Sequence, residues 1–205
     1  MAPPTIYALK PKFQSLLRPL TASLARAGVT ANQVTLAACV ASVAVGGFAA
    51  WRVPARWPFL LVPVWMFLRM AFNAIDGMLA REFGQKSRLG AYLNELTDVV
   101  SDTALYFPFA LVSPLSPFWT GLVIVLAVIS EFAGSLGATV GASRRYDGPM
   151  GKSDRAFVFG AMGLWIGVTA ALPGWAEYIM PLVAAMLAIT IVNRVSRGLA
   201  ESAPK

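Results

Sequence analysis

Residues 31–51 read ANQVTLAACVASVAVGGFAAW, twenty-one positions without one charged side chain. A helix rises about 1.5 Å per residue, so this stretch reaches across the roughly 30 Å hydrocarbon core of a bilayer. Outward from it, comparable apolar runs recur at residues 57–80, 91–111, 118–142, 156–172 and 178–195. Pro54, Pro114 with Pro117, Gly148 with Pro149, and Pro173 with Gly174 punctuate them. The pattern predicts an all-α polytopic membrane protein with six transmembrane helices. Composition agrees: of 205 residues 57% are apolar and only 13% charged, where soluble domains carry about 25%. The mean hydropathy is +0.64.

The opening residues, MAPPTIYALKPKFQ, lack the order of a secretory signal and are expected to stay in the mature protein. From Lys12 to Arg26, Phe13, Leu16, Leu17, Leu20 and Leu24 recur at helical spacing among Lys12, Arg18 and Arg26. This predicts an N-terminal interfacial amphipathic helix; a solvated arm is the other reading. Cys39 is single, which excludes an internal disulfide or a thiolate metal cluster and leaves it a core residue. Repeats and low-complexity tracts are absent.

A net charge of +7 and a pI near 10.0 could suggest nucleic acid, but the placement of the charges argues against it. Lys10, Lys12, Arg18 and Arg26 precede the first run. Arg81, Lys86 and Arg88 join the second and third, and Arg144, Arg145, Lys152 and Arg155 the fourth and fifth. Arg194, Arg197 and Lys205 close the chain, while the other connections hold only Arg52 and Arg56. Positive-inside bias then places both termini in the cytoplasm. Trp51, Trp57, Phe118, Trp119 and Trp175 form an interfacial aromatic belt.

Topology does not account for the acids inside apolar segments: Asp76, Glu95, Asp98, Asp102 and Glu131. Ionisable groups are costly in a bilayer and usually mark a cavity, an ion or a substrate. Asn73 and Asp76 stand three apart, and Asn94, Asp98 and Asp102 stand four apart, so each set shares a helix face; Glu95 flanks the second. Two antiparallel helices joined by the basic connection from Arg81 to Arg88 would bring these faces together near the cytoplasmic surface. Oxygen donors with no His fit Mg²⁺, Mn²⁺ or Ca²⁺ rather than zinc or copper. Such cations beside Arg and Lys suit a phosphate or diphosphate. For Glu131 a cavity-facing role and a dimer seam both fit.

The run from Asn73 to Asp98 reads N-x-x-D-G-x-x-A-R, eight residues, then G-x-x-x-N-x-x-x-D. It resembles the signature of the CDP-alcohol phosphotransferases, membrane phospholipid synthases that carry Asp at four of these places. The resemblance implies transfer of a phosphatidyl group from CDP-diacylglycerol to a small, in some members phosphorylated, alcohol with release of CMP. It also implies two Mg²⁺ or Mn²⁺ ions, a homodimer, and no nucleic acid. Carried over by position, Asn73, Asp76, Asn94 and Asp98 fill the metal-ligand places, with Asp98 the general base. Gly77, Ala80, Arg81 and Gly90 would border the nucleotide and diphosphate. Residues 30–35, TANQVT, resemble the family's short Asn-x-x-Thr segment and add Asn32 and Thr35 to that pocket; Thr30 as a helix cap also explains this stretch.

Two of the four Asp places are Asn here, which removes two negative charges and weakens metal binding, so a single ion is the other expectation. Glu95 joins the metal ligands and Asp102 joins Asp98 in the catalytic set, since both lie within about 100° of the signature directions on the helix wheel. Residues 144–155, RRYDGPMGKSDR, resemble the family's basic Gly-Lys loop. As a flexible loop, its Arg144, Lys152 and Arg155, with Arg194 beyond, would bind a phosphate of the diphosphate or the acceptor; positive-inside topology alone also places cations there. The expected organisation is an interfacial segment at 1–28, a catalytic six-helix domain at 29–200 and a tail at 201–205, in a bacterial inner membrane. Two competitors are an ion- or proton-coupled transporter and a catalytically weak relative acting as a scaffold. Neither should release CMP from CDP-diacylglycerol.

Overall fold

The computed structural model of the chain describes residues 6–202, with side chains from residue 13 onward. Their regular structure is helical throughout. In order these are α1 (Ile6–Arg26), α2 (Ala31–Arg52), α3 (Leu61–Glu82), α4 (Arg88–Tyr106), α5 (Pro117–Leu136), α6 (Lys152–Val168) and α7 (Ile179–Ser202). Single 3₁₀ turns precede α3 and α7 and follow α4 and α5.

Local chemistry sets the boundaries. Helix α1 ends where Gly28 takes φ 79°; Gly28 N donates to Ala25 O and Val29 N to Leu24 O, so the last carbonyls are satisfied. Helix α2 opens on a capping box in which Gln33 N donates to Thr30 Oγ1 and Thr30 N to Gln33 Oε1. The cap reading of Thr30 therefore holds. Ser116 caps α5 with Pro117 next to it. The apolar run 91–111 is longer than its α-helix because Pro108 turns residues 107–111 into a 3₁₀ segment.

Four segments are long and apolar enough to cross a membrane: Ala31–Arg52, Trp57–Glu82, Pro117–Val140 and Gly174–Ser202. Only 28–33% of their most apolar stretches is buried within the chain, so the remaining apolar surface needs another nonpolar medium. Phe67, Phe118, Phe132, Leu182 and Val192 are among the exposed side chains. Two of the six expected spans fall short. Helix α4 carries Arg88, Glu95, Asp98 and Asp102, and α6 has 17 residues and begins with Lys152, Asp154 and Arg155. The charges that suggest chemistry are the ones that lower these helices' apolarity.

The chain forms two compact units. One comprises the chain through Ala41 together with Met66–Asp98; the other comprises Ser42–Trp65 and the chain from Val99 onward. In the first, Ala31, Val34, Ile75, Met78 and Leu79 form a buried core against which Leu17, Leu24, Val29 and Phe72 pack. Of the predicted α1 stripe, Leu17 and Leu24 thus face the protein, while Leu16 and Leu20 are exposed. Arg18 bonds Glu82 through both carboxylate oxygens. Gln85 ties the α3–α4 connection to the start of α2, accepting from Ala31 N at 2.7 Å and donating to Val29 O at 3.3 Å.

The second unit is centred on aromatic rings. Tyr106 stacks on Phe159 with centroids 3.8 Å apart, and Phe109 meets Phe159 and Phe59 edge-on. Gly46 on α2 allows the Ala104 carbonyl of α4 to approach so closely that a Cβ would collide with it. Cys39 is half-buried and free.

Candidate active site

In the first unit two signature positions, Asp76 and Gly90, meet the opening turns of α2. Asp76 on α3 is 6% exposed, and its Oδ2 accepts from Thr35 Oγ1 of α2 at 2.8 Å. The same hydroxyl lies 3.0 Å from Ala31 O, so one proton is shared between two acceptors. On α4, Gly90 leaves no room for a side chain, since a Cβ would stand 2.8 Å from Asn32 Oδ1 and 3.0 Å from Ser87 Oγ. Asn32 and Thr35 thus each meet a signature position. At Gly77 a Cβ would stand 2.7 Å from Arg81 Nη2, so the guanidinium folds back over bare backbone. Ala80 is half-buried and packs against the core cluster. Asn73, Asn94 and Glu95 are half-buried.

Asp98 has a partner that the sequence reading did not include. Arg69 of α3 donates through Nη2 to Asp98 Oδ1 at 3.1 Å and to Asp98 O at 3.2 Å. The two side chains are only 7% and 18% exposed. The available signal was a lone Arg inside an apolar run, four residues before Asn73 and on its helix face.

In the second unit the basic positions are already paired. Arg155, fully buried, donates through Nη2 to Asp102 Oδ2 at 3.0 Å and Glu131 Oε1 at 2.9 Å. Arg144 donates to Glu131 Oε2 at 3.1 Å, and Arg194, 2% exposed, stands 3.4 Å from Glu131 Oε1 and donates to Ser130 O. Glu131 therefore collects three guanidiniums around one carboxylate, the role its sequence position left open. Asp102, expected beside the catalytic base, pairs with Arg155. A cavity of about 10 Å³, room for about one water, lies among Asp102, Tyr106, Glu131 and Arg155.

The loop before α6 is tied to α7 by side-chain contacts. Asp147 accepts from Arg145 at 2.8 Å and Arg197 at 3.0 Å. Glu201 accepts from Ser143 N and Oγ and from Arg145. Met150 N donates to Thr190 Oγ1 at 3.0 Å. Gly148, at φ 120°, lies so close to Thr190 that a Cβ would meet its Cα at 2.6 Å. Lys152 begins α6, half-buried. Buried burial-driven desolvation alone would raise the Asp147 carboxyl, but the hydrogen bonds and charge of Arg145 and the Arg197 hydrogen bond hold it below the usual range.

The donor set limits what metal it could hold. Among the described residues, no three Asp, Glu, His or Cys side chains stand together as a ligand group. Two signature places offer amide oxygens, and Asp98 is engaged by a guanidinium. Those residues do not fit a four-carboxylate, two-ion shell.

Comparison with known proteins places this geometry. The profile of the CDP-alcohol phosphatidyltransferases matches residues 28–192, and the chain belongs to this family of membrane-helical phosphatidyltransferases. It is 43% identical over 201 residues to inner membrane protein YnbA of Escherichia coli (strain K12), covering 97% of this chain and 98% of that one. Phosphatidylinositol phosphate synthase of Mycobacterium marinum (strain ATCC BAA-535 / M) is 36% identical over 94 residues, 46% of this chain and 38% of that enzyme. The crystal structure of the Mycobacterium tuberculosis phosphatidylinositol phosphate synthase with CDP-DAG bound shares the fold, with a TM-score of 0.73 at 23% identity, covering 91% of this chain and 96% of that one. The same enzyme in complex with manganese and citrate gives a TM-score of 0.72 at 22% identity, covering 91% of each chain.

Proposed function

We propose that this phosphatidyltransferase takes CDP-diacylglycerol as donor and a small alcohol as acceptor. The acceptor oxygen bonds to the lipid phosphorus, the phosphorus–oxygen bond to CMP breaks, and the hydroxyl proton passes to a carboxylate of this chain. The observation that carries the reading is the joining of Asn32 and Thr35 to Gly90 and Asp76, which assembles two separated motifs into one oxygen-rich site. The M. tuberculosis enzyme of the same fold, with CDP-DAG bound, supports the donor assignment.

Asp98 is the general base, its carboxylate oriented by Arg69. Asp76, with the amide oxygens of Asn73 and Asn94, would hold a divalent cation, Mg²⁺ or Mn²⁺. When bound, that ion supplies positive charge to the diphosphate. Arg81 swings from Gly77 to pair with a phosphate, leaving bare backbone against the nucleotide. This reading also keeps six spans, with Leu89, Leu96 and Val100 of α4 and Phe157, Leu164 and Val168 of α6 exposed to the surrounding medium. It further keeps both termini and the site at the cytoplasmic face of an inner membrane, α1 at the interface and a homodimeric assembly.

The test is to incubate the detergent-purified protein with CDP-diacylglycerol, Mg²⁺ or Mn²⁺ and a panel of acceptors, following CMP release and identifying the lipid product by mass spectrometry. Metal-dependent CMP release is expected. Asp98→Asn should lower turnover by about 10²–10⁴-fold while the melting temperature is kept. Unchanged turnover removes Asp98 as the base, and no CMP with any acceptor rejects the function.

A further inference from the structure

The connection between α2 and α3 lies at the end of α2 opposite Asn32 and Thr35. From Val43 to Leu68 the chain holds no Asp, Glu, Asn, Gln, Ser or Thr, and its polar side chains are Arg52, Arg56 and the indoles of Trp51, Trp57 and Trp65. Each of these is a hydrogen-bond donor and none an acceptor. The indole of Trp65 donates to Ser42 Oγ at 2.9 Å, whereas Trp51 and Trp57 are 75% and 50% exposed. Arg52, exposed as well, has its guanidinium carbon 5.7 Å from the Trp51 ring centre and 6.0 Å from that of Trp57. Phe48 meets both rings, at 6.1 and 5.7 Å between centroids. The rings hold the cation in place without cancelling its charge. The backbone turns between the two arginines, Ala55 N donating to Arg52 O at 2.8 Å and Phe59 N to Arg56 O at 3.0 Å. Arg56 is half-buried, and its Nη1, out of reach of solvent, meets no acceptor. Among the described residues neither arginine has an ion-pair partner. A guanidinium withdrawn from water without counter-charge is costly, so an anion from outside these residues would stabilise the turn.

We propose that this turn binds the headgroup phosphate of an anionic phospholipid, with Arg52 and Arg56 supplying the counter-charge and Trp51 and Trp57 lying against the glycerol region. The surroundings favour a lipid over a soluble anion. Val43 on α2 and Leu61 and Val64 on α3 are exposed and apolar, a surface that suits acyl chains, and Trp concentrates at the headgroup boundary of membranes. Positive-inside topology explains the other basic connections but not this one. A guanidinium matches a phosphate with paired donors, and the neighbouring indoles add an N–H each. The site is separate from the phosphatidyl-transfer reading and does not depend on it.

Native mass spectrometry of the full-length protein in mild detergent, titrated with dioleoylphosphatidylglycerol or dioleoylphosphatidylcholine, tests the proposal. Wild type should bind its first phosphatidylglycerol about fivefold more tightly than phosphatidylcholine. Arg52→Gln should weaken phosphatidylglycerol binding about fivefold, the size of one cation's attraction to an anionic headgroup, and Arg52→Gln with Arg56→Gln about 25-fold. Arg26→Gln removes the same charge at the end of α1 and should stay within about twofold of wild type. Inorganic phosphate in about tenfold excess should not displace the lipid, because it gains nothing from the apolar flank. Equal affinity for the two lipids in wild type overturns the proposal, as does displacement by inorganic phosphate. So does a loss in Arg52→Gln no larger than in Arg26→Gln at an unaltered melting temperature. Arg52 has no ion pair to lose, so that single variant decides the matter if the double variant does not fold.

Discussion

Each compact unit holds a buried set of opposite charges, and the two are assembled in opposite proportions. In the first, the carboxylates Asp76 and Asp98 face one guanidinium, Arg69, and one hydroxyl, Thr35. In the second, Asp102 and Glu131 face three guanidiniums, Arg144, Arg155 and Arg194. In the described contacts the first set has two carboxylates to one guanidinium. The second keeps one positive charge and is largely self-neutralised. The contrast separates residues of similar appearance in the sequence: a buried charge is tolerated best where its counter-charges are built into the chain.

Breaking the second set should have the largest effect on stability. Arg155→Met leaves Asp102 and Glu131 with less buried counter-charge and should cost about 3–5 kcal/mol, a fall of roughly 10 °C in melting temperature. A shift below about 2 °C would show that the guanidinium cluster is not structural, and the contrast would fail.

In the first set the expected loss is smaller. Thr35→Val removes the hydroxyl that Asp76 accepts from, costing about 1–3 kcal/mol if the carboxylate stays buried without it. CMP release should fall as well, and added Mn²⁺ should restore part of the stability by compensating Asp76. Stability restored equally by Na⁺ at matched ionic strength would show that the site has no preference for a divalent ion.

The smallest effect is a pH dependence in the loop that the second unit pins down. Asp147 titrates below its ordinary range when folded, about 3.9 being the unfolded value. Its contribution is therefore fully present above pH 4 and is lost as pH falls through the lower folded-state value. Asp147→Asn should flatten the melting temperature below about pH 4 and leave its slope between pH 5 and 8 unaltered. A change confined to the neutral range would contradict the pairing with Arg145 and Arg197.

The helical class was legible because apolar runs and turn residues are local signals. Which signature side chains share a helix face was legible because helical spacing fixes it. What escaped was partner choice. Arg69 reads as a single anomaly in an apolar run, and nothing local says that it reaches Asp98, 29 positions away. Glu131 was conspicuous, yet its three partners come from the loop before α6, from α6 and from α7. The contacts of the loop before α6 were not legible either, since Gly148 and Pro149 read locally only as turn residues. Gly148 is there because the chain passes against Thr190. Span count was the least secure reading, since α4 and α6 carry the polar groups that hydropathy penalises.

The side chain of Arg81 rests where Gly77 has none. A methyl group at that position would evict the guanidinium from its seat, leaving the arm extended at all times. Glycine instead leaves the arm a seat against the peptide backbone. Under the proposed function, an incoming nucleotide would have to dislodge this side chain before occupying the strip of helix beneath, coupling capture of the donor to release of the arm.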